Sequence, residues 1–537
     1  MGEVRSAENI FEDFKAQSVS QFFKNNQSML GYTGEIKSLT TAVHEAVTNG
    51  LDACEEAGIK PEIRIEIEKL GKRHYKVIVE DNGPGIPEEF ISDVFGKMLA
   101  GSKGHRNVQS RGQQGIGISG VVMFSQVKTG EPTRIITSTG EDILEAYLEL
   151  DVEKNKGKIS ELNKIDNEIN WRGTRIEFMV KEVLYNRSQY GVYEYVKNTA
   201  IGNPHAEFVL IEPDGNLAFF NRSSEKIPDP PDEIKPHPKG METNDLVDMA
   251  KKTDRRKITS LLVNELSRVS RSKLKDIEEK IAVVMYQKDA GDNKEVTIND
   301  VPSIYIDEAK EILDKSPDEL KWAEAENIVK AFRKIDFIAP PTDCLSPIGE
   351  DRIQEGLKEV LNPDFVATTT RKPEVYRGGI PFTVEVGIAY GGSIEKGLNV
   401  LRQANRVPLL FNNGSCAITD AVNSIDWKRY NVKNPDTAPL VVFVDLVSTH
   451  VPYISAGKQA VAEEEKIYDE MRYGIMEVSR KLKRYLAGIK RKEKRRKRKK
   501  TLKMYMGEVS KALNDLTGEN ESEIEENIKE LIEEEEG

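Results

Sequence analysis

Between residues 39 and 79 a helix pattern runs straight into two strand patterns, and this succession restricts the fold more than any other feature of the chain. Apolar residues recur every three to four positions from 39 to 57, and the run stops at Gly58, as in a helix closed by a glycine. Ile63-Arg64-Ile65-Glu66-Ile67 and Tyr75-Lys76-Val77-Ile78-Val79 then alternate apolar and polar side chains, as half-buried strands do. Further strand patterns at 134–136 and 175–179 predict an α/β layer with helices on one face of a sheet.

At 537 residues the chain is too long for one hydrophobic core, which predicts roughly three or four folded units. A Pro-rich stretch at 227–238 breaks the pattern and is the expected first boundary. Beyond it Ile258, Leu261, Leu262, Leu266 and Val269 mark one helix face, with Arg268, Arg271 and Lys273 nearby, so a small helical module is expected. Strands return after Ala339-Pro340-Pro341, at 382–389 and 440–444, and indicate a second α/β unit. Tyr468, Met471, Ile475, Val478, Leu482, Tyr485 and Ile489 then keep a 3-4-3-4 spacing, read as the seam of a long partner-seeking helix. A helix packed on its own domain has the same spacing.

Charge and composition exclude several classes. No apolar stretch approaches the roughly 18 residues of a membrane span, and the polar start of the chain lacks the basic-then-apolar layout of a secretory signal, so an intracellular protein is expected. Cys54, Cys344 and Cys416 lie far apart, which suggests buried free thiols rather than disulfides or a zinc site. The net charge of -12 argues against a surface that grips nucleic acid everywhere. The charge is uneven, however: within 490–500 every residue except Glu493 is Lys or Arg, whereas 519–537 has Lys529 as its sole basic residue. Such a pairing suggests a local electrostatic contact, or simply a solvated helix end followed by a disordered tail.

Three separated segments carry candidate chemistry. In H-E-A-V-T-N-G-L-D, Glu45, Asn49 and Asp52 stand at i, i+4 and i+7 and project from one helix face. An oxygen-rich face suits a hard divalent cation, although a satisfied polar cluster has the same pattern. Asp81-Asn82-Gly83-Pro84-Gly85 follows a strand directly and reads either as a plain turn or as a place where a ligand approaches the backbone. An acceptor-only carboxylate at Asp81 could read the exocyclic amino group of adenine. Arg111-Gly112-Gln113-Gln114-Gly115-Ile116-Gly117 leads into an apolar helix-like run, where backbone N–H groups and the positive helix end can face phosphates. Its glycine order fits neither a Rossmann turn nor a P-loop.

Taken in order, Glu45 with Asn49, D-N-G-P-G, G-x-x-G-x-G and then Gly173-Thr174 before a strand resemble the GHKL ATPase family, over about residues 39–178. The resemblance implies the GHKL (Bergerat) α/β sandwich and a bound ATP with Mg2+. It implies that Glu45 polarises the attacking water, that Asn49 binds Mg2+, that Asp81 holds adenine, and that Thr174 supports that contact. Gly85, Gly112, Gln113, Gln114, Gly115, Ile116 and Gly117 would line the nucleotide. Residues 96–111, with Lys103, His105 and Arg106, would form a mobile lid over the phosphates.

Within that family, R-G-Q-Q-G-I-G-I-S-G at 111–120, N-R-V-P-L-L-F at 405–411 and D-W-K-R-Y at 426–430 resemble the B subunits of type IIB DNA topoisomerases. This implies a strap and ATPase domain at 1–229, a helix-two-turns-helix domain at 230–306, a transducer domain at 307–469, and a long C-terminal helix and tail at 470–537 that contacts a separate A subunit. Lys428 would reach from the transducer to the γ-phosphate. The N-terminal strap, with Phe11, Phe14, Phe22 and Phe23, would cross between copies in an ATP-dependent homodimer. Because no D-x-D carboxylate pair or winged-helix nucleophilic tyrosine is found, the chain is not expected to cut DNA. A separate A subunit would do so in a heterotetramer of two A and two B subunits acting on double-stranded DNA in the cytoplasm, without a membrane. The competing reading is a chaperone-like ATP clamp on protein clients. A histidine kinase is disfavoured because the six histidines are scattered and no phosphoacceptor helix is found.

Overall fold

The computed structural model describes residues 27, 31–97, 107–112, 115, 117–151, 156–291, 296–455 and 457–534. The strap expected at residues 1–23 lies outside these.

The first unit grows from the helix and strands that opened the sequence. Helix α1 (Glu35–Glu56) ends where the amides of Gly58 and Ile59 bond back to the carbonyls of Glu55 and Cys54, at 3.0 and 2.8 Å. Strands β1 (Glu62–Gly71) and β2 (His74–Asp81) pair antiparallel, with Ile63, Ile65 and Ile67 buried. After α2 (Glu88–Gly96) and α3 (Gly117–Thr129) come β3 (Thr133–Ser138), β4 (Ile143–Asp151), β5 (Lys156–Ile165) and β6 (Gly173–Lys181). Helix α4 (Val192–Gly202), β7 (Glu207–Ile211) and β8 (Leu217–Phe220) complete a sheet of eight strands in the order β5-β4-β3-β6-β2-β1-β7-β8. The apolar sides of α1, α3 and α4 share one core with this sheet, as the alternating strands predicted.

Past the Pro-rich stretch, among the described residues, five helices form the expected module: α5 (Thr243–Lys252), α6 (Ile258–Glu265), α7 (Lys273–Ala290), α8 (Ser303–Asp314) and α9 (Trp322–Arg333). Their shared core runs from Met241 to Ile335. The division expected at 306 is therefore displaced: Ala309, Ile312, Ala325 and Ile328 of α8 and α9 pack on α7, so the second α/β unit starts after them.

That unit contains α10 (Glu350–Leu361), β9 (Phe365–Thr370), β10 (Glu374–Tyr376), β11 (Ile380–Tyr390), β12 (Gly397–Ala404), β13 (Val407–Pro408), α11 (Ala417–Asn423) and β14 (Pro439–Ser448). Strands β11, β14 and β12 are its buried centre. Helix α10 covers one face and meets α4, through Ile201, Ile353, Leu357 and Phe443, so the first and second sheets are joined across a shared apolar layer. The other face carries the start of α12 (Glu465–Thr517), whose 53 residues span roughly 80 Å at 1.5 Å per residue.

The helical seam thus has a partner within the chain. Met471, Ile475, Val478 and Leu482 are fully buried in the core of the second sheet, with Tyr468 and Tyr485 packed at its margin, so the intrachain reading holds and the partner-seeking one does not for this stretch. Only beyond it does α12 leave its domain, exposing the basic residues of 490–500 before α13 (Glu521–Glu534) folds back along its end. All three cysteines are free and buried, as expected. Among the described residues no helix is long and apolar enough to cross a membrane.

Candidate nucleotide site

The face of α1 that carries Glu45, Asn49 and Asp52 opens onto a cavity of about 470 Å³. Asp81, Gly85, Gly112, Gly115, Gly117 and Thr174 line the same cavity, so the three separated segments of the sequence do converge. Lys103, Gln113, Gln114 and Ile116, and with them His105 and Arg106, lie outside the described residues.

At one end the sheet supplies the polar group. Asp81 closes β2 directly opposite Thr174 of β6, and its Oδ1 accepts the Gly83 amide at 2.9 Å. Burial pushes the Asp81 carboxyl up to about 6, against the hydrogen bonds from the Gly83 and Thr174 backbone. Thr174 Oγ1 lies 3.2 Å from Thr137 Oγ1, which fixes its side chain at the cavity wall. Gly85 has φ +77, and a Cβ there would lie 2.0 Å from the Ser138 carbonyl, so no side chain fits the turn between Asp81 and α2.

At the other end α3 starts at Gly117 and aims its N-terminus into the cavity. A Cβ on Gly117 would stand 2.2 Å from Glu45 Oε2: the catalytic candidate and the start of α3 touch, and glycine is the residue that permits it. The His44 ring packs edge-on against Tyr195, its Nε2 3.8 Å from Glu45 Oε1; burial holds its pKa down, against the pull of Glu45, so it stands neutral beside that carboxylate.

The lysine that enters the cavity is not the expected one. Lys428 sits on a single helical turn, Trp427–Tyr430, with its backbone amide capped by Asp426 at 3.2 Å and its side chain exposed, and it is no part of the cavity wall. That turn packs on α12, because Trp427 and Tyr430 are buried in the second core. Lys458, in the loop between β14 and α12, occupies the position instead: it lines the cavity between Gly457 and Gln459 and donates to the Arg111 carbonyl at 3.2 Å. Burial lowers its pKa, while Glu45 and Asp52 pull it back up. The second unit also lends the cavity Val407 to Phe411, the V-P-L-L-F of the segment at 405–411.

Sequence reasoning also missed a buried ionic cluster beside the cavity. Arg111 Nη1 reaches Asp52 Oδ1 at 2.7 Å and its Nη2 reaches Glu55 Oε1 at 2.6 Å, while Arg406 Nη2 approaches Glu55 Oε2 at 3.0 Å and His205 Nε2 lies 2.7 Å from Glu55 Oε1. Burial alone would raise the Glu55 carboxyl, but Arg111 and Arg406 hold it well below the usual range. Arg111, Asp52 and Arg406 each fell in a motif of the sequence, but nothing there linked them to Glu55.

Among the described residues no three acidic, histidine or cysteine side chains could hold a metal by themselves. A small hard cation that keeps its waters and binds phosphate oxygens needs only one or two protein oxygens. The Asn49 side chain, facing the cavity one turn from Glu45, fits that need.

Comparison with known proteins bears on the same regions. The family described as histidine kinase-, DNA gyrase B-, and HSP90-like ATPase matches residues 34–182, and that described as topoisomerase VI B subunit, transducer, matches residues 340–500. The chain is 55% identical to a Pyrococcus horikoshii protein named as the B subunit of type 2 DNA topoisomerase 6, over 98% of this chain and 96% of that one. Proteins of the same name from Thermococcus gammatolerans and Methanothermobacter thermautotrophicus are 54% and 45% identical, over 98% and 94% of this chain and 97% and 93% of theirs.

Proposed function

The chain belongs to the topoisomerase VI B subunit family, and from that premise we propose that it binds and hydrolyses ATP in the cavity beneath α1 to gate the passage of one DNA duplex through another. What supports this reading is a single arrangement: Glu45, Asp81, Gly112, Gly115 and Gly117 face one cavity, and Lys458 reaches it from a different folded unit. Family membership decides against the chaperone-like clamp.

In this mechanism Asp81 accepts a hydrogen bond from the adenine amino group, with Thr174 beside it. Backbone N–H groups of Gly112, Gly115 and Gly117, the last at the start of α3, take the phosphates. Glu45 accepts a proton from the attacking water, which must lie within one hydrogen bond of its carboxylate. Asn49 would hold Mg2+, which when bound neutralises charge on the phosphate oxygens. Lys458 stabilises the γ-phosphate and ties the second unit, the transducer, to the ATPase domain only while that phosphate is present, so that hydrolysis frees the transducer to rotate.

The partners follow from the same premise. The separate A subunit of topoisomerase VI supplies the cleaving tyrosine in a heterotetramer of two A and two B subunits, and ATP closes two B chains on each other. With the seam of α12 occupied by its own domain, contact with the A subunit falls to the free end of the helix, where Met504, Tyr505 and Leu516 are exposed. The basic run at 490–500 is suited to DNA phosphates, and the workplace is the cytoplasm with chromosomal DNA. The test is ATP turnover by the chain mixed with its A subunit, with and without duplex DNA. Stimulation by DNA is expected; turnover indifferent to DNA would overturn the reading.

A further inference from the structure

The segment Asn405-Arg406 joins β12 to β13 in a two-residue turn, and both residues are left-handed, at φ +50 and +66. Asparagine tolerates that conformation, whereas arginine rarely adopts it. The turn is nevertheless held from three sides. The Arg406 amide donates to both Asp445 carboxylate oxygens at 3.2 Å, and its carbonyl accepts from Asn203 Nδ2 at 3.2 Å. The Asn405 side chain bonds the backbone of Ser448 at 2.9 Å and donates to the Ser110 carbonyl at 3.0 Å.

So seated, Arg406 sends its guanidinium out of the transducer and into the ATPase domain, to Glu55 on α1. Glu55 is the same carboxylate that Arg111 grips in a fork, at 3.0 and 2.6 Å, while Arg111 also binds Asp52 and Asn203. One anion therefore serves two arginines from two folded units. The residue after Arg111 is Gly112, where the phosphate-binding bend begins, and the Arg111 carbonyl is the atom that Lys458 holds. Glu55 lies on the helix that carries Glu45. Removing Arg406 leaves Glu55 still paired with Arg111 and His205, so the anion is not orphaned, but among the described residues it loses its cation from the transducer.

We propose that Arg406 is a positioning residue: by sharing Glu55 with Arg111 it ties the orientation of the transducer to the seating of the phosphate-binding bend. This rests on the reading of the cavity as the ATP site. Arg406 touches no substrate and acts through Arg111 and, beyond it, through Lys458. The shared anion gives the transducer a second hold on the site that is present whether or not nucleotide is bound, and it sets where Lys458 arrives.

The experiment compares Arg406→Ala, Arg406→Lys and Lys458→Ala in the full chain, with turnover, affinity for an unhydrolysed ATP analogue and thermal melting measured for each. For Arg406→Ala the expected result is analogue affinity within about threefold of the parent, an unchanged melting profile, and kcat at least tenfold lower. Arg406→Lys, which keeps the charge but not the fork, should recover some of that loss. A kcat within twofold of the parent would overturn the proposal, and so would a kcat loss matched by lost cooperative melting, which marks a merely structural role. Lys458→Ala separates the two levels. If it turns over normally, the reading of the site fails; if it is impaired while Arg406→Ala is normal, only the coupling through Arg406 fails.

Discussion

Replacing Lys458 with alanine is expected to abolish most ATP turnover while sparing most nucleotide binding. The ammonium already lies in the cavity, held 3.2 Å from the Arg111 carbonyl, so in the proposed mechanism it would meet developing charge on the γ-phosphate without a costly rearrangement. Loss of one such preorganised donor costs about 100- to 1000-fold in kcat, or ~2.7–4 kcal/mol. Because Lys458 is only partly buried, the lower end of that range applies. Ground-state binding loses one charge-assisted contact, on the order of 1.5 kcal/mol and so roughly tenfold in affinity. Single-turnover hydrolysis at saturating ATP separates the two effects. Lys428→Ala is the paired control: exposed and no part of the cavity wall, it should leave ATP turnover without DNA within about twofold of the parent. If Lys458→Ala hydrolysed ATP within about threefold of the parent, or if Lys428→Ala lost as much as Lys458→Ala, the assignment of the incoming lysine would be wrong.

Glu45→Gln should bind ATP and hydrolyse it about 100- to 10,000-fold more slowly, as expected for a lost general base; near-normal turnover would move that role elsewhere. Asp81 sets a pH dependence for binding. Its carboxyl, pushed up to about 6 in the ligand-free site, accepts best from adenine when ionised, so bound nucleotide favours the ionised form. Affinity should be flat above about pH 6 and fall as the pH drops below it, and Asp81→Asn should weaken binding about 10- to 100-fold and remove the slope. Calorimetric titrations from pH 5 to pH 8 check both; a flat profile in the parent would count against Asp81. Leu482→Ala should destabilise the chain on its own by about 2–5 kcal/mol, because the side chain is fully buried in its own domain. Denaturant unfolding that matched the parent would return the seam to an external partner.

What could be read in advance was local in sequence. Periodicity along α1 and the two following strands is a short-range property, and the glycine bend announces itself because its residues are adjacent. The seam of α12 was ambiguous for a physical reason, since a helix packed on a sheet of its own domain and one packed on another chain bury residues at the same spacing. The division at 306 failed because α8 and α9 bury their apolar faces against α7, and amphipathic spacing alone does not say which neighbour will be met. The lysine was misplaced for a related reason. W-K-R-Y suggested Lys428, but which lysine of a second domain reaches the first depends on how the two sheets join through α4 and α10. The shared carboxylate was equally out of reach, because Arg406 lies 351 positions from Glu55.

The length of α12 beyond its own domain has a mechanical meaning. About five turns are welded to the sheet by Ile467, Met471, Ile475, Val478 and Leu482, and roughly 50 Å of helix projects past them at 1.5 Å per residue. A rod anchored in this way amplifies whatever its root does, so a tilt of about 10° in the sheet would sweep the far end through roughly 9 Å, by the same helix geometry. In the proposed mechanism, a small displacement of the sheet would thus arrive at the distal tip of the helix much enlarged.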